Sequence, residues 1–187
     1  MKTSDNTDLS EIDVVKDPPA STMIMRYVIA NHWTKNKNVL DAATGKGYGA
    51  GILLSLGAKS VVGIDLDKEG VEEANKLLGN KNCRFEYADI FSLKEKFNQK
   101  QFDVTTSIET FEHLPPERID EYLQNLKFVT GEKIIITTPR RKVAEWHFNG
   151  GTHLYEYDAN EFITILKRNF SKNKISIIGL DELLLPG

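Results

Sequence analysis

Short apolar runs alternate with helical stretches along most of the chain, and their spacing sets the first expectation. "NVLDA" (38–42), "SVVGID" (60–65), "CRFEYAD" (83–89), "FDVTTSI" (102–108) and "EKIIITT" (132–138) each have the length and the β-branched content of a strand. Met23, Tyr27, Val28 and Ala30 recur at helical spacing and predict a helix from about Pro19 to Trp33. Further helices are predicted from Lys68 to Leu78, from near Pro116 to Phe128, and from Ala159 to Asn169. "KISIIGL" (174–180) reads as a last strand. Pro139 closes the fifth strand, because proline cannot donate to a central ladder.

Apolar strands separated by helices imply a parallel sheet covered on both faces. Right-handed crossovers then give a doubly wound, mainly parallel open α/β sheet. Ligands in such sheets sit beyond the carboxyl ends of the strands, at the switch point, so candidate residues should fall just after strands. There is no internal repeat, low-complexity tract or interdomain linker, and residues 18–187 read as one domain.

Composition narrows the partners. The net charge of −3 is accounted for by residues 1–17, where Asp5, Asp8, Glu11, Asp13 and Asp17 face only Lys2 and Lys16. That acidic, polar segment is expected to be mobile. The remainder is neutral and lacks the basic surplus of a general nucleic-acid binder, which leaves only local patches such as "PRRK" (139–142). No apolar run approaches the ~20 residues of a membrane span, and the N-terminus lacks a signal peptide's apolar segment. The single cysteine, Cys83, cannot form an internal disulfide and reads as a packing residue, which fits a reducing, cytoplasmic compartment.

The first candidate chemistry is the loop "NVLDAATGKGYGAG" (38–51). "GKGYGA" (45–50) matches G-x-G-x-x-G/A, and Asp65 lies 20 residues beyond Gly45, a spacing that permits a nicotinamide dinucleotide. Asp41 argues against it. A carboxylate beside the glycine bed repels a pyrophosphate and attracts a ligand bearing an ammonium and a positive sulfur. S-adenosylmethionine is such a ligand, and its carboxylate would take the loop amides at a helix N-terminus. Gly49 and Gly51 read as packing positions.

"VLDAATGKGYGA", "VVGIDLD", "FEYADI", "FDVTTSIETFEHLPPE" and "IIITTPRR" together resemble, in order and spacing, the Rossmann-like S-adenosylmethionine-dependent methyltransferases, from about Met23 to Leu180. The resemblance implies cofactor contacts from Asp41, Ala43, Thr44, Gly45 and Gly47 around the methionine part. It implies Asp65 on the ribose hydroxyls, Leu66 and Ile90 beside the adenine, Asp89 at the adenine amino group, and Ser107 on the methionine side. The plainer reading of the aspartates is that each caps the turn after its strand. Two departures stand out: Ala43 occupies the place of the family's first glycine, and its seventh strand is not visible.

A second candidate follows the fourth strand. "SIETFEHLPP" puts Glu109, Glu112 and His113 within about one turn, where mutual repulsion calls for a partner that a divalent cation would supply. Carboxylates favour magnesium or manganese, and an imidazole tilts the set toward manganese, zinc or iron. The bland alternative is that Glu112 is solvated and His113 caps a helix or packs under Trp33. The segment is similar to that of small-RNA 3'-terminal 2'-O-methyltransferases, which implies a later histidine ligand; His153, ahead of Tyr155, Glu156 and Tyr157, matches that place. It is also similar to small-molecule O-methyltransferases of quinone and sugar pathways, and "MRYVIANHW" (25–33) resembles the start of methyltransferases associated with glycan synthesis. His147 is a weaker fourth ligand, and His32 reads as structural or exposed.

Three readings follow. The leading one is O-methylation of a small-molecule or glycan-precursor hydroxyl, with Glu109, Glu112, His113 and His153 as metal ligands, and with Glu112 and His113 catalytic. The alternatives are RNA 3'-end 2'-O-methylation and a non-catalytic cofactor-binding subunit. Segments 18–33 and 140–157 would line the acceptor, the latter through Trp146, Phe148, Tyr155 and Tyr157; oligomeric state is not legible.

Overall fold

Five apolar runs become a single parallel sheet. Strands β1 (Asn38–Ala42), β2 (Ser60–Asp65), β3 (Cys83–Tyr87), β4 (Phe102–Ile108) and β5 (Thr130–Thr137) lie in the order β3-β2-β1-β4-β5. All four pairings are parallel. The computed structural model describes residues 18–139, 145–146 and 153–178; side chains are described from Thr22 onward, but not at 145–146. The acidic segment 1–17, Arg140–Lys142, His147 and Phe148 fall outside the described residues.

Alternation along the strands builds two cores. Val39, Val61, Cys83 and Phe85 face helices α1 (Pro18–Thr34), α2 (Tyr48–Ser55) and α3 (Lys68–Leu78), through Tyr27, Ala30, Ala50, Leu53, Val71 and Ala74. Leu40, Ala42, Val62 and Ile64 face the other way, against α4 (Leu93–Lys96), α5 (Ile119–Val129) and α6 (Ala159–Asn169). A sheet with both faces covered explains why its strands read as nearly continuous apolar runs. Cys83 is 1% exposed and unpaired, and burial pushes its thiol up to about 11, as befits a packing residue.

Helix starts follow local chemistry. Asp67 caps α3 by accepting from Gly70 N at 3.1 Å, and Asp158 caps α6 through the amides of Asn160 and Glu161. By contrast, α2 starts at Gly47, which provides no side-chain cap. No described helix is long and apolar enough to cross a membrane.

One expected element is absent. Residues 174–178 of "KISIIGL" join no ladder, and Ile177 and Ile178 are more than half exposed. Alternation alone does not make a strand; a partner edge does, and among the described residues β5 pairs only with β4. The pattern also missed a two-residue antiparallel pair, β6 (Glu145–Trp146) with β7 (Tyr155–Glu156), which is too short to show a period.

Glycine in α2 is used unequally. A Cβ on Gly49 would stand 1.9 Å from the Tyr27 ring, whereas one on Gly51 would meet only Leu78 at 3.5 Å. Gly49→Ala should therefore cost about 1–3 kcal/mol through overpacking. Gly51→Ala should be neutral or stabilising by up to about 1 kcal/mol, from helix propensity. Urea unfolding midpoints of the two variants check the contrast.

Candidate active site

The strand order reverses between β1 and β4, and the candidate residues gather where the carboxyl ends of those strands part. Asp41, one residue from the end of β1, is fully buried. Its Oδ2 accepts from Thr44 Oγ1 at 2.6 Å and its Oδ1 from Thr106 Oγ1 at 2.7 Å. The Tyr27 hydroxyl stands 3.4 Å from both oxygens. Burial pushes this carboxyl up to about 6, against the opposing effect of the three hydroxyls, and Asp65 adds to the rise. Of the expected loop residues, Asp41 and Thr44 thus lie beneath the glycine bed, and Gly47 belongs to the bed without lining the cleft. The cause is steric: Gly47 faces Phe85 and Ala74, and Thr44 turns inward to Asp41.

Above them the chain makes a tight bed. Ala43, Gly45 and Gly47 have φ of 61°, 56° and 81°, a left-handed conformation that glycine adopts freely and alanine does not. Ala43 therefore holds a conformation that a glycine would take at less cost. Asp65 locks the loop: its Oδ2 accepts from Gly45 N at 2.8 Å and its Oδ1 from Asp67 N at 2.9 Å. A carboxylate has about four acceptor positions, so two remain for a ligand's hydroxyls.

A cleft of about 370 Å³ opens on this bed, lined at one end by Ala43, Gly45, Asp65, Leu66 and Ile90, and at the other by Glu109, Thr110 and His113. Leu66 is 56% exposed, an apolar side chain offered to whatever enters. Two expected residues are engaged otherwise. Asp89 accepts from Phe91 N at 2.9 Å through Oδ1 and caps the turn Ile90–Ser92. Ser107 does not reach the cleft: strand alternation sends it into the α5 face, where it is fully buried and accepts from the Tyr122 hydroxyl at 2.9 Å.

After β4 the two glutamates part company. Glu109 sits at φ 51°, with Oε1 accepting from Thr137 Oγ1 at 2.7 Å and Oε2 paired with Arg26 at 3.1 Å. Glu112, in the turn Phe111–His113, is fully buried. Its Oε2 accepts from Thr138 Oγ1 at 2.9 Å, while Oε1 has no hydrogen-bond donor among the described residues. Burial, with Glu109 adding to it, pushes the Glu112 carboxyl up to about 7. Ligand atoms of Glu112, His113 and His153 all lie within 4.8 Å of one another, and the two imidazoles meet edge to face at 4.9 Å. His153 is carried there by a backbone bond from Leu154 N to Glu112 O at 2.8 Å.

The cluster thus contains three of the four expected metal ligands. Glu109 is outside it, drawn away by Arg26 and Thr137. A buried carboxylate oxygen without a donor, beside two imidazoles, fits a divalent cation of the manganese or zinc kind by donor chemistry. Sequence reasoning assigned no site role to Tyr27, Thr106 or Thr138, although all three lay in quoted stretches, because a hydroxyl within or at the end of a helix or strand carries no readable signal.

Comparisons with known proteins agree with this geometry. The family described as Methyltransferase domain matches residues 39–132, half of the chain. The mitochondrial ubiquinone biosynthesis O-methyltransferase of Dictyostelium discoideum is 30% identical over 112 residues, covering 54% of this chain and 35% of that protein. The match thus spans about a third of that relative's length. Among solved structures, Burkholderia thailandensis 1,6-didemethyltoxoflavin-N1-methyltransferase, holding 1,6-didemethyltoxoflavin and S-adenosylhomocysteine, superposes with a TM-score of 0.68. It is 20% identical, over 84% of this chain and 69% of that one. A SAM-dependent methyltransferase from Aquifex aeolicus gives 0.64 at 21% identity, over 88% of each chain. At such identities the likeness is one of fold.

Asp41 yields a signed pH prediction. Its folded value of about 6 lies above the ordinary 3.8, so the protonated form favours the fold. Its stabilising share is complete below 3.8 and lost as pH rises through about 6, about 3 kcal/mol in all. Asp41→Asn should abolish that share of the slope, measured as the difference between urea midpoints of the two proteins across the window. Parallel curves would remove the argument.

Proposed function

The chain belongs to the methyltransferase-domain family and is an S-adenosylmethionine-dependent methyltransferase; on that premise we propose that it methylates a hydroxyl of a small-molecule or glycan-precursor acceptor, with a divalent metal assisting. The observation that carries this reading is the Glu112–His113–His153 cluster, reached from the cofactor cleft through His113. The relative that methylates oxygen in ubiquinone biosynthesis supports the choice of oxygen.

Each residue has a part in the proposal. The free acceptor positions of Asp65 would take the ribose hydroxyls, and Leu66 and Ile90 would cover the adenine. The uncapped amides at the start of α2 would take the cofactor's carboxylate. Asp41 would act on the ammonium through its field rather than by contact, since it lies beneath the bed. Asp89, whose Oδ1 is used by its own turn, would keep its second oxygen for the adenine amino group.

Methyl transfer moves CH3 from sulfur to oxygen in line, so orienting the acceptor does most of the work. The hydroxyl must also give up its proton. A cation held by Glu112, His113 and His153 would lower the pKa of a bound hydroxyl. Without it, His113, on the cleft wall, is the group placed to receive the proton. The acceptor would then lie along Glu109, Thr110 and His113.

A second reading, RNA 3'-terminal 2'-O-methylation, draws on the same cluster, because His153 joins Glu112 and His113; Glu109, the fourth residue of that branch's pattern, stands apart. Its basic patch, Arg140–Lys142, lies outside the described residues.

Calorimetry with S-adenosylhomocysteine and Mn²⁺ tests the proposal. Glu112→Gln should keep the nucleoside affinity, weaken manganese binding by at least about tenfold, and cut turnover. Protons and cations compete for Glu112, so manganese affinity should fall as pH drops through about 7. Wild-type turnover in the variant removes the cluster from the mechanism. Cofactor-dependent methylation of purified small RNA, with steeply salt-dependent binding, would instead favour the second reading.

A further inference from the structure

The cluster is touched from behind by a side chain whose role the sequence pattern left open. Glu156, the second residue of β7, is 2% exposed. Its Oε1 stands 2.6 Å from Nδ1 of His153, three residues earlier. The backbone fixes this pair from two sides. Leu154 N donates to the carbonyl of Glu112, and Glu156 pairs with Glu145 across the β6–β7 ladder. Tyr157, next in sequence, packs edge to face on Phe111, at 4.9 Å, in the turn that carries Glu112 and His113. The loop bearing His153 is thus docked on the turn bearing the other two ligands, and Glu156 lies inside that contact.

The chemistry of the pair is directional. The contact at 2.6 Å joins Glu156 to Nδ1 rather than Nε2, and a carboxylate there accepts only, which places the hydrogen on Nδ1 in the arrangement inferred here. A neutral imidazole has one such hydrogen, which leaves the lone pair on Nε2, the nitrogen that can ligate a cation. Thr138 does the equivalent for Glu112 by occupying Oε2 and leaving Oε1 toward the histidines.

We infer that Glu156 is a positioning residue that holds His153 in the Nδ1–H tautomer and aims its Nε2 at the Glu112–His113 side. The inference rests on the metal reading above and extends it to a residue that touches neither cation nor substrate. A buried carboxylate hydrogen-bonded to a ligand histidine both orients the ring and raises its basicity. A merely structural Glu156 would affect folding and leave the tautomer indifferent.

The test uses Glu156→Gln, which keeps the shape but offers both a donor and an acceptor, so the ring is free to adopt either tautomer. Mn²⁺ is titrated by calorimetry into S-adenosylhomocysteine-saturated protein in mildly alkaline buffer. The variant should bind manganese roughly 10–100-fold more weakly, with nucleoside affinity unchanged. Glu156→Asp, which keeps an acceptor-only group, should recover part of the loss. Imidazole ¹⁵N shifts should show the hydrogen of His153 on Nδ1 in the wild type and a mixture in the Gln variant. Unchanged manganese affinity in Glu156→Gln overturns this inference and leaves the metal reading standing. No manganese binding by the wild type overturns both. A wild-type His153 carrying its hydrogen on Nε2 overturns the inference even where the variants fail to fold.

Discussion

The site depends on a buried negative charge that the fold does not neutralise. Asp41 lies at the switch point of the sheet, and the groups around it are hydroxyls from α1, the glycine loop and β4. Hydroxyls lower the cost of burying a carboxylate without cancelling it, and so the group remains well above its ordinary range. The arrangement joins three stretches of chain distant in sequence. Tyr27 draws α1 over the sheet, which is possible only because Gly49 leaves room for its ring. Thr44 sets the start of the loop whose next residue, Gly45, is held by Asp65. A cation arriving over the bed would relieve the charge from above, which makes the site electrostatically incomplete without its ligand.

The two glutamates after β4 show how position overrides residue type. They are three residues apart and chemically equivalent, yet one is turned outward and one inward. Glu109 takes a left-handed backbone conformation, disfavoured for a residue with a Cβ, and is held there by Thr137 and the guanidinium of Arg26. Its charge is thereby answered within the protein. Glu112, one turn on, has no lysine or arginine paired with it among the described residues; His113 Nε2 is 3.9 Å away and Thr138 donates to only one oxygen. The outward residue braces α1 against β5, and the inward one is left with the unanswered oxygen on which the metal proposal rests.

Most of the scaffold was legible because its signal is local. The bounds of β1, β2, β4, α3 and α6 follow from apolar runs and caps that neighbouring residues carry. What failed to read was what depends on a partner elsewhere. Residues 174–178 have a strand's alternation but no ladder to join, so Ile177 and Ile178 face solvent. Ser107 stands at the right place in the motif, but the period of two along β4 points it at Tyr122. Asp41 was identified as an electrostatic anchor, and its contact mode was not, because depth beneath a loop leaves no trace in spacing. The cluster was legible as residue types; that Glu109 would leave it depended on Arg26, more than eighty residues earlier.

The sign of the cleft also bears on the choice of acceptor. Among the described residues its lining includes the carboxylates of Asp65 and Glu109 and no lysine or arginine. Asp41 and Glu112 add charge just behind that surface, and the guanidinium of Arg26 is already paired with Glu109. Such a lining attracts a cofactor with a sulfonium and an ammonium, and it attracts a divalent cation. It repels a chain of phosphates unless cations from elsewhere meet them. A neutral or hydroxyl-rich acceptor enters without that cost, and a cation at Glu112 would then hold its oxygen against the methyl donor. Among the described residues, these charges therefore accord with the small acceptor proposed above rather than with a polyanion.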